Sequence, residues 1–123
     1  MLFRSRKYFL ALVDFARVNP ITAVEKGYRA GLQRWPESRV LGFGLANLLY
    51  EKGDRPGALS VFRKLIETAP DYAPAYNNLA QLLAELGAYD EAIAMAERAV
   101  ALGGPRAASY RETLTSLQQQ KPQ

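Results

Sequence analysis

The sequence contains neither cysteine nor histidine among its 123 residues. Without cysteine there can be no disulfide bond, no thiolate metal ligand and no thiol nucleophile. Without histidine there is no imidazole base, so the Ser-His-Asp and Cys-His arrangements of many hydrolases cannot form within this chain. These two absences exclude most hydrolytic mechanisms, and we expect a protein that is not an enzyme.

Motifs for binding phosphate or metal are also missing. The glycine-rich stretches at residues 41–45 and 102–106 follow no strand pattern and contain neither G-K-S nor G-x-G-x-x-G. Asp90 and Glu91 are neighbours that point to different faces of a helix, and no set of carboxylates has the spacing of a calcium loop. We therefore expect no cofactor and no metal site.

Long hydrophobic runs are absent, since no stretch approaches the roughly 18 apolar residues that a transmembrane helix needs. The N-terminus is similar to a signal peptide, because Arg4, Arg6 and Lys7 precede the apolar run 8–13. Asp14 ends that run and no small-residue cleavage site follows, so we expect a helix of the fold here and no membrane span. A cytoplasmic location is the default, and a periplasmic or membrane-associated one applies if the chain was cut from a longer exported protein.

Charge of one sign dominates only at the N-terminal end. The chain has 16 Lys plus Arg and 12 Asp plus Glu, a net charge of +4. Residues 1–40 carry +5, residues 41–72 are balanced, and residues 73–123 carry −1. The basic residues are spread out and lack the interleaved aromatic residues of a stacking platform for bases. We therefore expect no nucleic acid partner.

The sequence does contain an internal repeat with a period of 34 residues. Residues 54–58 (DRPGA) and 88–92 (AYDEA) each follow a glycine and precede a helical pattern. The Leu-Ala pair at 45–46 recurs at 79–80. Other residues spaced 34 apart are Tyr8, Gly42, Tyr76 and Tyr110; Phe15, Leu49, Leu83 and Leu117; and Pro36 and Pro70.

Each repeat divides into two amphipathic helices. Tyr76, Leu79 and Leu83 follow one another at helical spacing, and Gly87 supplies the left-handed position that ends a helix. Asp54 and Asp71 are placed to cap the helices that follow them. The pattern predicts an all-α fold with helices at about 4–18, 21–34, 38–52, 55–68, 72–86, 89–102 and 106–119, followed by a frayed tail at 120–123.

The repeat resembles the tetratricopeptide repeat, a 34-residue helix-turn-helix unit with the pattern W-x2-L-G-x2-Y, then A-x3-F, then P. Units that begin at Ser5, Arg39 and Ala73 align with this pattern, and the first unit is the weakest match, as terminal repeats often are. The resemblance implies a right-handed α-α superhelix in a single domain, 1–119. It would consist of three repeats at about 5–38, 39–72 and 73–105, and a C-terminal capping helix at 106–119.

A second resemblance concerns residues 75–105, AYNNLAQLLAELGAYDEAIAMAERAVALGGP, with LQRWPES at 32–38 before them. This region resembles the C-terminal repeat module of some bacterial papain-like cysteine peptidases of the bacteriocin-processing type. That resemblance would make the chain the accessory part of such a protein, since the chain has neither cysteine nor histidine for the peptidase itself.

In the tetratricopeptide repeat family, the first helix of each repeat lines a concave groove. Aromatic side chains there would supply apolar surface, and amides would supply both donors and acceptors, which suits a peptide ligand. The opposing interpretation is that the aromatic residues belong to the core and that Asn78 is a surface amide bonded to water. The candidate groove residues are Arg6, Phe9, Val13, Phe43, Asn47, Tyr50, Asn77, Asn78, Gln81 and Arg111.

We therefore expect a non-catalytic interaction module whose partner is a protein or peptide segment held in the groove. The alternatives are a self-association scaffold, because Gly42 leaves a gap where an aromatic residue normally wedges between helices, or the accessory domain of a peptidase. A homo-oligomer thus stays open. Family members that hold the C-terminal carboxylate of a chaperone use Lys, Asn and Arg, and we expect no such clamp here. The corresponding residues are Phe9, Val13, Gly44, Pro74 and Asn78.

Overall fold

The computed structural model of the protein describes residues 20–123, which form six helices and no strand. The all-α fold is therefore confirmed, and each helix predicted in this range begins and ends within one residue of its predicted bounds. The first predicted helix, at about 4–18, lies outside the described residues. The helices are α1 (Pro20–Arg34), α2 (Arg39–Lys52), α3 (Arg55–Thr68), α4 (Ala73–Glu85), α5 (Tyr89–Leu102) and α6 (Ala107–Gln120).

Side-chain caps fix the start of α2 and α3. The Ser38 hydroxyl accepts a hydrogen bond from the amide of Leu41 at 3.2 Å, and the Asp54 carboxylate accepts one from the amide of Gly57 at 2.9 Å. These bonds satisfy amides that have no partner within the first turn of a helix. The predicted capping role of Asp54 is confirmed.

The predicted capping role of Asp71 is wrong. Tyr72 occupies the position before α4, and no side chain caps that helix. The Asp71 carboxylate instead accepts a hydrogen bond from Arg39 at 3.1 Å. An ion pair with the start of α2 has replaced the cap, and the sequence spacing alone does not reveal that partner.

Successive helices pack against each other, and α6 also contacts α4. Consequently α2, α4 and α6 lie along one side, which we call the first-helix wall, while α1, α3 and α5 form the second-helix wall. Alanines fill many of the contact positions between helices, where a single methyl group lets two backbones approach closely. The alanines with no exposed surface are Ala46, Ala58, Ala75, Ala80, Ala92, Ala96 and Ala99.

Larger apolar side chains complete the core. Phe62, Leu49 and Leu79 are fully buried between the two walls. Tyr110 and Leu117 of α6 are each 4% exposed, so the last helix buries one face against the helices before it. None of the helices within residues 20–123 combines the length and the apolar character needed to cross a membrane.

Candidate functional site

A chain of three amides runs across the first-helix wall between α2 and α4. The Nδ2 atom of Asn78 donates to Oδ1 of Asn47 at 2.8 Å, which links two successive repeats. The Nδ2 atom of Asn77 lies 3.5 Å from Oδ1 of Asn78, at the limit of a hydrogen bond. Asn47 and Asn78 are half-buried, so part of each amide faces the surface of the wall.

Asn77 differs from the other two amides because it is only 8% exposed. Its Oδ1 atom is buried and has no hydrogen-bond partner among the described residues. An unpartnered buried carbonyl costs stability, because it gives up its hydrogen bonds to water. The side chain of Asn77 is thus buried beneath the surface of the first-helix wall. This corrects the expectation that it lines an open groove.

The side chain of Phe43 also packs against the core, and it is only partly exposed. Its ring meets Phe62 and Tyr72 edge-on, with centroids 6.4 Å and 5.4 Å apart. The ring of Tyr28 fills the space beside Gly44.

The inward direction of Phe43 and Asn77 has a common origin in the repeat. The two residues are 34 positions apart, so they occupy the same place in successive units. In both units the side chain at this position is directed inward from the first-helix wall, and only the residue type differs. The 34-residue spacing could have predicted the burial of Asn77, because residues at the same position of successive repeats share the same environment and Phe43 packs against the core.

Tyr50 forms a second link across the wall. Its hydroxyl donates a short hydrogen bond to Oε1 of Glu85, and Nε of Arg55 donates to Oε2 of the same carboxylate at 3.4 Å. The hydrogen bond to Glu85 raises the pKa of Tyr50, because only the protonated phenol can donate it. Tyr50 as a whole is 36% exposed, so its side chain stays partly accessible. Sequence reasoning missed the part that Arg55 plays here.

Gln81 lies in a trough between α4 and α6. This trough has a volume of about 570 Å³, and Glu85 and Glu112 are among its lining residues. Arg111 is exposed on α6 and borders a shallower depression with Glu112 and Thr115. The structure therefore does not bring Arg111 to the amide chain. Three other predicted groove residues, Arg6, Phe9 and Val13, lie outside the described residues.

Tyr72 and Arg39 are additional residues of this wall that the sequence did not indicate. The guanidinium of Arg39 lies 5.4 Å from the centroid of the Tyr72 ring, a cation–π arrangement, and it also binds Asp71. Within residues 20–123 no group of three or more carboxylates is positioned to hold a metal ion. The first-helix wall thus presents amides, aromatic rings and paired charges.

Comparisons with known proteins agree with this architecture. A family described as the tetratricopeptide repeat matches residues 43–111, more than half of the chain. Protein FlbA of Caulobacter vibrioides is 35% identical over 72 residues, which are 58% of this chain and 12% of FlbA. The chain therefore spans only a small part of the length of that relative.

Three solved structures share the fold at low sequence identity. PcrH in complex with the chaperone binding region of PopD has a TM-score of 0.76 and 16% identity, over 99% of this chain and 96% of that one. MamA has a TM-score of 0.74 and 15% identity, over 87% and 62%. The first repeat domain of Spaghetti (RPAP3), bound to the HSP90 peptide SRMEEVD, has a TM-score of 0.73 and 19% identity, over 86% and 83%. With the repeat in the sequence, the paired helices of the structure and the family match all in agreement, this chain belongs to the tetratricopeptide repeat family.

Proposed function

We propose that this protein is an interaction module that holds an extended peptide or protein segment on the first-helix wall of α2 and α4. The observation that carries the proposal is the hydrogen bond between Asn47 and Asn78, which joins two repeats and leaves both amides at the surface. Tetratricopeptide repeats are typically non-catalytic. Two of the solved relatives hold a peptide or a protein segment, which supports the same use of this fold here.

The chemistry of the wall fits a peptide backbone. The Nδ2 group of Asn47 has hydrogens to donate, since its Oδ1 atom is the one engaged by Asn78. Asn78 can also accept a second bond at Oδ1, so the pair offers both a donor and an acceptor at one place. Each such hydrogen bond contributes roughly 0.5–1.5 kcal/mol net, and the exposed part of Tyr50 adds apolar contact.

Charge argues against an acidic ligand on this wall. Two of the family's clamp positions are Gly44 and Pro74 here, so neither can provide a cation. Glu112 lines the neighbouring trough and would repel carboxylates of the ligand, whereas Glu85 in the same trough is paired with Arg55. We therefore expect a neutral or basic segment, and no binding of an acidic tail such as the peptide held by RPAP3.

A random peptide library displayed on phage can test the proposal. Peptides enriched by the full chain are synthesised, and their affinity is measured by fluorescence anisotropy for the wild type, Asn47→Ala and Asn78→Ala. We expect each variant to weaken binding by about tenfold, the effect of losing roughly 1.4 kcal/mol. Gln118→Ala, which removes an exposed amide from α6, is the matched control and should leave the affinity unchanged.

Two results would contradict the proposal. One is equal affinity of the enriched peptides for the wild type and both asparagine variants, when circular dichroism shows that the variants are as helical as the wild type at the temperature of the measurement. The other is enrichment of peptides rich in Asp and Glu, which would show that the charge argument is wrong.

None of the relatives reported above is named as a peptidase, so the resemblance to a peptidase module gains no support from them.

A further inference from the structure

The second-helix wall contains a cleft between α1 and α3, away from the amide chain. Its volume is about 540 Å³, and Gly42 of α2 lies at its floor. The apolar part of its lining comes from Leu32, Leu45, Val61 and Leu65, and polar side chains form the rest. The cleft therefore has the room and the apolar surface for a large apolar side chain.

The cleft exists because the repeat lacks a side chain at this place. The residues 34 and 68 positions after Gly42 are Tyr76 and Tyr110, which are buried to 7% and 4% exposure. At Gly42 there is no ring, and Leu65 occupies only part of the space. Its Cδ1 atom lies 3.1 Å from where a Cβ atom on residue 42 would stand. The aromatic residue that completes the other units is missing from this one.

An unburied aromatic residue stands next to this cleft. Trp35, in the turn between α1 and α2, is the single tryptophan of the chain and is 58% exposed. Pro36 and Ser38 border both the cleft and the depression that contains Trp35, so the two features form one continuous surface. Trp35 and the cleft at Gly42 therefore lie side by side.

Apart from Arg34, whose guanidinium lies 5.4 Å from the centroid of the Trp35 ring, the charges of this surface are complementary. Arg29 and Lys64 line the cleft, and none of the described residues that line it is acidic. Glu37 is exposed two residues after Trp35, and it takes part in none of the ion pairs formed within residues 20–123. A segment carrying Trp35 and Glu37 thus has the ring for the apolar interior and the carboxylate for the basic rim.

We propose that two copies of this chain associate through the second-helix wall, with Trp35 of each copy seated in the Gly42 cleft of the other. Glu37 of one copy then lies beside Lys64 of its partner. A two-fold symmetric interface requires that one patch contain both complementary features, and here Trp35 and the cleft share a border. Tryptophan seated in a pocket is the side chain that most often dominates the affinity of such interfaces. This association leaves the first-helix wall free for a peptide.

The test combines sedimentation velocity with tryptophan fluorescence on the full chain over a wide range of concentrations. We expect a monomer–dimer equilibrium, and a shift of the emission to shorter wavelength as the dimer forms. Because Trp35 is the only tryptophan, the emission reports on its burial alone. Trp35→Ala should raise the dimer dissociation constant by at least about tenfold. Leu86→Ala, an exposed apolar residue after α4, is the matched control and should not change it.

A charge exchange tests the arrangement within the dimer. Glu37→Lys and Lys64→Glu should each weaken association several-fold, and the double variant should recover most of the loss, because it restores opposite charges across the interface. The proposal is overturned by a monomer at every concentration, by a dimer whose Trp35 emission does not shift, or by a double variant that is weaker than both single ones. Unchanged far-ultraviolet circular dichroism shows that the variants are folded.

Discussion

At the scale of single residues, the buried amide of Asn77 is the feature whose presence the stability of the fold explains least. A side chain at this position only needs to fill space, as Phe43 does one repeat earlier. The Asn77 carbonyl is instead buried without a partner among the described residues. Its Nδ2 group has a long contact, 3.5 Å, to Asn78. Asn77 therefore adds little to the stability of the core for a side chain that is only 8% exposed.

Asn77→Leu is expected to leave the free energy of unfolding unchanged or to raise it by up to about 1 kcal/mol, because it removes a desolvated carbonyl and adds apolar contact. Asn78→Leu is the matched comparison. It breaks the 2.8 Å bond to Asn47 and should lower the free energy of unfolding by about 1 kcal/mol. Urea unfolding at neutral pH measures both changes. A larger loss for Asn77→Leu than for Asn78→Leu would contradict this account.

Residue identities predict the elements of this fold better than its surfaces. The helix bounds were predictable because glycines with positive φ, such as Gly53 and Gly87, and the cap Asp54 mark them locally. The sequence left open whether Phe43 lines the groove or packs against the core, because its contacts with Tyr72 and Phe62 form only in the folded chain. The interactions of the wall were equally hidden, since they join side chains about 30 residues apart.

At the scale of elements, an exposed ion pair joins two neighbouring helices of the second-helix wall, α3 and α5. Arg63 of α3 donates to both carboxylate oxygens of Glu91 of α5, at 2.7 Å and 3.2 Å. These hydrogen bonds from Arg63 hold the pKa of Glu91 below its ordinary value. The two side chains are 46% and 39% exposed, so solvent screens the pair and its contribution is small.

The Arg63–Glu91 pair should contribute up to about 0.5 kcal/mol, and only where Glu91 is ionised. Because the pKa of Glu91 is lower in the folded state than in the unfolded one, this stabilisation is present above the unfolded pKa of 4.5 and is lost as pH falls through the folded pKa. Glu91→Gln should therefore be less stable than the wild type at pH 7, and the difference should vanish in strongly acidic solution.

Urea unfolding of both proteins at several pH values measures that difference. Glu25, whose pKa is lowered by hydrogen bonds from Lys52 and Arg29, is present in both proteins and its effect cancels. Glu97→Gln, on the same helix but outside any ion pair of the described residues, serves as the control for loss of one negative charge. A stability difference for Glu91→Gln that is the same at all pH values would contradict the assignment.

At the scale of the whole molecule, the repeat arrangement makes stability a sum of contacts between neighbours. Each helix touches the next one along the chain, and α6 adds a second contact with α4. Repeat proteins of this kind depend on their terminal helices to cover the apolar face of the last unit. Here Tyr110 packs with Ala73, Tyr76 and Ala99, so α6 stabilises the helix that carries Asn77 and Asn78.

Removal of α6 should therefore affect α4 and α5 much more than α2 and α3. We expect a chain that ends after residue 106 to unfold at lower urea concentration, because it loses the burial of Tyr110 and Leu117, each worth roughly 2–5 kcal/mol when truncated in a core. Hydrogen exchange resolved by segment provides the measurement. Protection should fall most in residues 73–102, and a chain that lacks only residues 122–123, which keeps the ion pair between Lys121 and Asp90, is the control with little change. A uniform loss of protection from α1 to α5 would contradict this expectation, because it would mean that the molecule unfolds as one cooperative unit. In that case α6 would stabilise the distant helices α1 and α2 as much as it stabilises α4 beside it.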